Sequence, residues 1–269
     1  MAAAGLARST YYYHQARFDR PDKHRRLKEQ IAAVFDASRA RYGYRRIRLA
    51  LTTAGWAVSN KLVRKIMRQL GLKSKVRPRR KYNSHQGTPA TIADNILDRQ
   101  FTADAPNRKW VSDVTEFRVA GAKVYLSPVM DLFDRSIVSY TVGRSPSMEL
   151  TSQSLAQALD LHGPDVGLMV HTDQGIQYLH SSWTGLIGDH GGVQSMSRKG
   201  NCFDNAVMEN FFGHLKAEMY HGETFASIAD FVAELDDYLQ WYNTHRVQER
   251  LKGLAPMQHR NQALAAMTA

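Results

Sequence analysis

The segment from Trp110 to Gly143 constrains the fold more than any other. It holds three runs rich in β-branched and aromatic residues, WVSDVTEFRV (Trp110 to Val119), KVYLSPVMDLFD (Lys123 to Asp134) and SIVSYTVG (Ser136 to Gly143), separated only by tight connections. Parallel strands need a long crossover between them, so these runs predict an antiparallel three-stranded meander. The pattern then changes. SMELTSQSLAQALDLHG reads as a helix, VGLMVHTD as a short buried strand, SSWTGLIGDHGG as a helix, VQSMS as a short strand, and GNCFDNAVMENFFGHLKAE as a loop feeding an amphipathic helix. Strands alternating with helices after an antiparallel start predict an α/β domain with a mixed central sheet. SIADFVAELDDYLQWYNTHR is expected to add one more helix, followed by a polar tail.

The first part of the chain has a different character. Residues 1–82 carry 22 Lys and Arg against 4 Asp and Glu, while residues 83–269 carry 14 against 21, so the two parts have opposite net charge. So dense a basic module repels itself unless a polyanion balances it, and neutralising phosphates releases condensed counterions. Within it, Leu27, Ile31, Val34 and Phe35 recur at helical spacing, and a break is expected near Tyr42 and Gly43. After Gly55, Ser59 reads as an N-cap, Leu62, Val63, Ile66, Met67 and Leu70 as an apolar stripe, and Gly71 as a stop. Two helices joined by a short glycine-containing turn make a helix-turn-helix candidate. Its second helix would present Asn60, Lys61, Arg64, Lys65 and Arg68 to a duplex, with Arg45 and Arg46 on the preceding helix.

The stretch from Lys73 to Asn95 is first basic and then rich in Ser, Gly, Thr and Pro, the composition of an arm and linker. The expected divisions are a basic helical region over 1–82, a linker over 83–104, a catalytic core over 105–220 and a helical extension over 221–269. No run approaches the 18 or more apolar residues of a membrane span, and the N-terminal residues lack the apolar segment of a secretory signal, so a cytoplasmic location and no membrane partner are expected. Cys202 is the single cysteine, which excludes an intrachain disulfide and a cysteine-rich zinc cluster.

Three carboxylates stand in unusual places. On the strand period of 2, Asp113 shares a face with Val111, Thr115, Phe117 and Val119, and burying an unpaired carboxylate is costly. Asp173 arrives at the carboxyl end of the buried strand, where α/β sheets bind ligands. Glu209 lies at the edge of the apolar stripe formed by Met208, Phe211, Phe212, Leu215 and Met219. Taken singly, each has an ordinary explanation as a satisfied or solvated side chain. Taken together they have the chemistry to hold hard divalent cations, and two Mg²⁺ ions bound by carboxylates can serve in-line phosphoryl transfer.

WVSDVTEF, HTDQGIQY, SRKGNCFDNAVMENFFGHLKAE and YNTHRVQERLKGLAPMQ, with RYGYRRIRLAL and VSNKLVRKIMRQLGL upstream, resemble the OrfB-type transposases of bacterial insertion sequences, whose core is related to retroviral integrases and RNase H. The resemblance covers most of the chain. It implies an RNase H-like mixed-sheet core preceded by an all-α helix-turn-helix-type DNA-binding domain. It also implies that Asp113, Asp173 and Glu209, with 35 residues between the last two, are the catalytic metal ligands for two Mg²⁺ or Mn²⁺ ions. The implied activity is cleavage at element ends and 3′-hydroxyl strand transfer, through a circular intermediate. The implied partners are double-stranded DNA of the ends and the target, further copies of the chain on that DNA, and an upstream reading-frame product joined by fusion or association, in a bacterial nucleoid setting. Arg198, Lys199, Lys216 and Arg246 are expected to meet phosphates near the site, Asp204 and Asn205 to cap the Glu209 helix, Asp131 and Asp134 to be structural, and Tyr178 and Trp183 to sit in the core. The competing readings are a catalytically silent DNA-binding regulator of transposition and a plain metal-dependent nuclease that cuts without joining.

Overall fold

A computed structural model describes residues 7–18, 22–75, 93–162, 167–198 and 202–268. The chain divides into two compact units, Met1–Lys75 and Val76–Ala269. The first holds helices α1 (Arg8–Phe18), α2 (Arg25–Ala37), α3 (Tyr44–Thr53) and α4 (Asn60–Gln69). Its core is Leu27, Ile31 and Phe35 from α2, Ile47 and Leu51 from α3, and Val63, Ile66 and Met67 from α4, as their helical spacing dictates. Gly55, at φ +87°, lets the chain reverse after α3, with Trp56 N donating to Leu51 O at 2.9 Å. Ser59 then caps α4 by accepting from Leu62 N at 3.2 Å. Asn60, Lys61, Arg64, Lys65 and Arg68 all lie on the exposed side of α4, and Arg45 is exposed on α3.

The second unit is built on a mixed sheet of β1 (Lys109–Ser112), β2 (Thr115–Val119), β3 (Ala122–Asp131), β4 (Ile137–Gly143), β5 (Met169–Thr172) and β6 (Val193–Met196). Both β1 and β2 pair antiparallel with β3 in one register, from Trp110 opposite Asp131 and Ser112 opposite Val129 to Thr115 opposite Leu126 and Val119 opposite Ala122. They are a single strand interrupted at Asp113 and Val114. The cause lies in its partner: Leu132 N donates to Lys109 O, so by alternation residue 128 should donate across from Asp113, and Pro128 has no N–H. On the other edge of β3 lies β4, while β5 runs parallel to β1 and β6 parallel to β5.

Alternation along the strands separates two cores. Val111, Phe117, Val119, Val124, Leu126 and Met130 pack under α7 (Ala206–Leu215) and α8 (Ile228–Thr244), through Met208, Phe211, Phe212, Phe231 and Leu235 among others. Trp110, Val129 and Val170 face the opposite way, toward α5 (Met148–His162) and α6 (Ser181–Asp189), with Leu155, Leu159, Trp183 and Ile187. Burying each such side chain contributes about 1.5–3 kcal/mol. α7 runs on into a π turn over Lys216–Tyr220.

Two expectations need correcting, the linker and the polar tail. Leu97 is 1% exposed, belongs to the core under α7 and donates its amide to Ser195 Oγ at 3.0 Å, so the distal part of the expected 83–104 linker is packed; residues 83–92 lie outside the described residues. The extension after residue 220 packs through α8 into the same core as the sheet. The polar tail is a helix, α9 (Pro256–Thr268), whose Arg260 bridges the buried carboxylates of Asp131 and Asp134. Proline at its first position is the signal that marks this helix in sequence. Among the described residues no helix is long and apolar enough to cross a membrane.

Candidate active site

The parallel pairing of β1 with β5 sets Lys109 beside Met169, Trp110 beside Val170 and Val111 beside His171. Two positions further at the same offset, Asp113 and Asp173 come side by side at the carboxyl ends of strands that lie about 4.8 Å apart. By alternation both follow Val111 and Met169 to the sheet face covered by α7, whose first turn carries Glu209. All three residues are half-buried. Asp113 Oδ1 accepts from its neighbour Val114 N at 2.7 Å, and Oδ2 accepts from Asn205 Nδ2 at 2.8 Å. Asp173 Oδ1 accepts from Gly175 N at 2.9 Å. A Cβ on Gly175 would stand 2.9 Å from that same oxygen and closer still to the Gln177 side chain, so glycine leaves the Asp173 carboxylate its place.

Burial, then the charge of Asp173 and last that of Glu209, push the Asp113 carboxyl well above the ordinary range, against the hydrogen bonds from Val114 and Asn205. Burial likewise pushes Asp173 up. Carboxyls that disfavour one another's ionised form gain from a shared cation, and an all-oxygen donor set suits a hard one. The donor set therefore fits Mg²⁺ or Mn²⁺. Among the described residues, however, no three His, Cys, Asp or Glu side chains are gathered tightly enough to hold a metal ion: the aspartates are adjacent, and Glu209 acts on Asp113 through its charge.

The lead-in to α7 is tied down from several sides. His171 on β5 meets Ser195 Oγ through Nδ1 at 2.9 Å, and its Nε2 lies 3.1 Å from Ser197 Oγ and 3.0 Å from Asp204 O. Burial lowers its pKa to about 4, so it is neutral at pH 7. The Asp204 carboxylate accepts from Asn95 Nδ2 at 2.8 Å, Arg99 Nε at 2.9 Å and Arg198 N at 3.1 Å. Burial alone would raise its pKa, but the hydrogen bonds from Arg99 and the Arg198 amide, with the two arginine charges, outweigh it and hold the group below the usual range. Asp204 and Asn205 therefore do not cap α7 as expected: Asn205 occupies the N-cap position and makes no side-chain cap bond. Sequence reasoning passed over His171, Asn95 and Arg99, whose roles depend on partners distant in the chain.

The expected phosphate contacts fare unevenly. Arg246 is corrected: it is 3% exposed and locked in a bidentate pair with Glu218, Nε to Oε2 at 2.8 Å and Nη2 to Oε1 at 2.7 Å. Arg198 is exposed but its guanidinium already pairs with Asp98 and Asp204. Lys216 is half-buried with Nζ 5.1 Å from the centre of the Phe117 ring, and Lys199 lies outside the described residues. Tyr178 and Trp183 are fully buried against each other, ring centroids 4.8 Å apart. Arg246→Ala is expected to leave Glu218 buried without its cation and to cost about 3–5 kcal/mol of stability. A urea titration checks this; loss of DNA affinity at unchanged stability would restore Arg246 as a phosphate contact.

Two family models described as Integrase core domain match residues 103–202 and 209–264, and one described as HTH-like domain matches residues 22–81. The chain is 42% identical over 262 residues to the putative transposase InsK for insertion sequence element IS150 of Escherichia coli (strain K12), covering 97% of this chain and 92% of that protein. It is 37% identical over 258 residues to the probable transposase for insertion sequence element IS1353 of Shigella flexneri, covering 95% of this chain and 50% of that one. Among solved structures, a chain of the simian T-cell lymphotropic virus intasome in complex with PP2A regulatory subunit B56 gamma matches with a TM-score of 0.50 at 15% identity, covering 86% of this chain and 74% of the other. At that identity the likeness is one of fold, the RNase H-like mixed sheet of integrase cores.

Proposed function

Since the chain belongs to the insertion-sequence transposases with an integrase core, we propose that it cuts DNA at the ends of its element and joins the freed 3′ hydroxyl to another phosphodiester, using Asp113, Asp173 and Glu209 as metal ligands. The observation that carries this reading is the β1–β5 register, which sets Asp113 beside Asp173 beneath the helix bearing Glu209. Bound there, two Mg²⁺ or Mn²⁺ ions would activate the attacking oxygen and stabilise the leaving one. The chain's own contribution is placement. Val114 and Asn205 orient Asp113, Gly175 orients Asp173, and the first turn of α7 carries Glu209 on a rigid element.

Duplex DNA is held, on this reading, by the outer face of α4 through Asn60, Lys61, Arg64, Lys65 and Arg68, with Arg45 and Arg46 from α3, and Lys216 on the core meets a further phosphate. Several copies act together on paired ends. The chain works in a bacterial nucleoid setting, by fusion to or association with an upstream reading-frame product. A silent regulator would have no use for two adjacent aspartates that burial holds above the ordinary carboxylate range. The test is to incubate the chain with duplexes carrying candidate element ends and Mg²⁺. Nicked ends and joined products are expected; cleavage without joining would make the protein a nuclease, and neither would leave it a binding protein.

A further inference from the structure

Asn205 is placed as a helix cap and does something else. It is the N-cap residue of α7, where an asparagine normally accepts from an amide of the first turn, yet it makes no such bond. Its Nδ2 instead donates to Asp113 Oδ2 at 2.8 Å, and its Oδ1 is buried with no hydrogen-bond partner among the described residues. Both features oppose stability. A missing cap leaves first-turn amides without a side-chain acceptor, and a buried acceptor without a donor carries its full desolvation penalty. The side chain is nonetheless held in this position, because its neighbour Asp204 is anchored through its carboxylate to Asn95 and Arg99 and through its carbonyl to His171.

We propose that Asn205 is a positioning residue: it fixes the orientation of the Asp113 carboxylate for cation binding and couples it to the helix that carries Glu209. The inference rests on the reading of Asp113 as a metal ligand. With Val114 N on Oδ1 and Asn205 Nδ2 on Oδ2, both oxygens are oriented by one donor each, and each keeps a lone pair for a cation. Donors behind a ligand tune it in this way, and their loss typically reduces metal affinity about 10–100-fold. Asn205 lies four residues before Glu209, so the same residue that grips Asp113 begins the turn that presents Glu209.

The variant that separates this role from a structural one is Asn205→Ser. Serine is as good a cap as asparagine, carries no charge, and is too short to reach Asp113. The full chain, without DNA, is titrated with Mn²⁺ by calorimetry, and its urea midpoint is measured alongside, for wild type, Asn205→Ser, Asn205→Ala and Asp113→Asn. Expected are a midpoint for Asn205→Ser equal to or above wild type, and Mn²⁺ affinity lowered about 10–100-fold in both Asn205 variants. Wild-type Mn²⁺ affinity in Asn205→Ser overturns the inference, and so does unfolding of both Asn205 variants, which would make the residue a scaffold element. If Asp113→Asn itself binds Mn²⁺ like wild type, the metal-site reading fails; if only the Asn205 variants do, that reading stands and the positioning role alone falls.

Discussion

Asp113→Asn and Asp173→Asn are each expected to stop nicking and joining of element ends while leaving DNA affinity nearly unchanged. The amide keeps the size of the carboxylate and removes the charge that holds a hard cation. Losing that stabilisation of the attacking or leaving oxygen is worth several kcal/mol, and at 1.36 kcal/mol per factor of ten the rate should fall on the order of a thousandfold or more. Burial already disfavours the ionised form of both carboxyls, so a neutral amide in either place should cost little stability. Asp131→Asn supplies the contrast. Asp131 sits opposite Trp110, further back along β1, and pairs with Arg260, so its replacement should lower stability and spare the chemistry of the folded fraction. Gel assays on labelled ends, with urea titrations of the same preparations, separate these outcomes.

DNA affinity is expected to fall steeply with salt. If the basic face of the first unit engages six to ten phosphates, counterion release predicts a loss of about 10³–10⁵ in affinity between 50 and 200 mM salt. Replacing Arg64, Lys65 or Arg68 by Ala should each reduce the slope of log affinity against log salt by about 1, because each exposed side chain on α4 would neutralise one phosphate. The helix itself should be unaffected, since its buried stripe is Val63, Ile66 and Met67. A slope near zero, or one unchanged by all three substitutions, would move the DNA contact away from α4.

How much of this could be read from the chain alone follows from how local each cause is. The strands and their faces are legible, because β-branched residues at period 2 report burial directly; the α4 cap is legible too, and its stripe in part, since Val63, Ile66 and Met67 are buried while Leu62 is half-buried and Leu70, at the helix end, is exposed. The break at Asp113 is not legible, because it comes from Pro128 on the neighbouring strand. α9 is a polar, weakly amphipathic segment held by Arg260 against Asp131 and Asp134, more than a hundred residues earlier, and nothing local announces that pairing. Arg246 has the sequence setting of any exposed base, and only its pairing with Glu218, 28 residues earlier, accounts for its burial. At the site, the adjacency of Asp113 and Asp173 depends on the offset of two parallel strands, which resemblance implied and spacing could not supply. Asn205 read as a cap because caps are what asparagines before helices usually are; its bond to Asp113 spans 92 positions.

The central claim is that Glu209 completes a metal-holding set with the two aspartates, and in this structure it acts on Asp113 through its charge without closing around a shared point. The direct measurement is joining of a pre-nicked element end by Glu209→Gln in Mg²⁺, under conditions where wild type and variant bind that end equally. Joining lowered on the order of a thousandfold is the predicted result. Joining at the wild-type rate would make Glu209 an ordinary helix-edge glutamate and contradict the three-carboxylate mechanism.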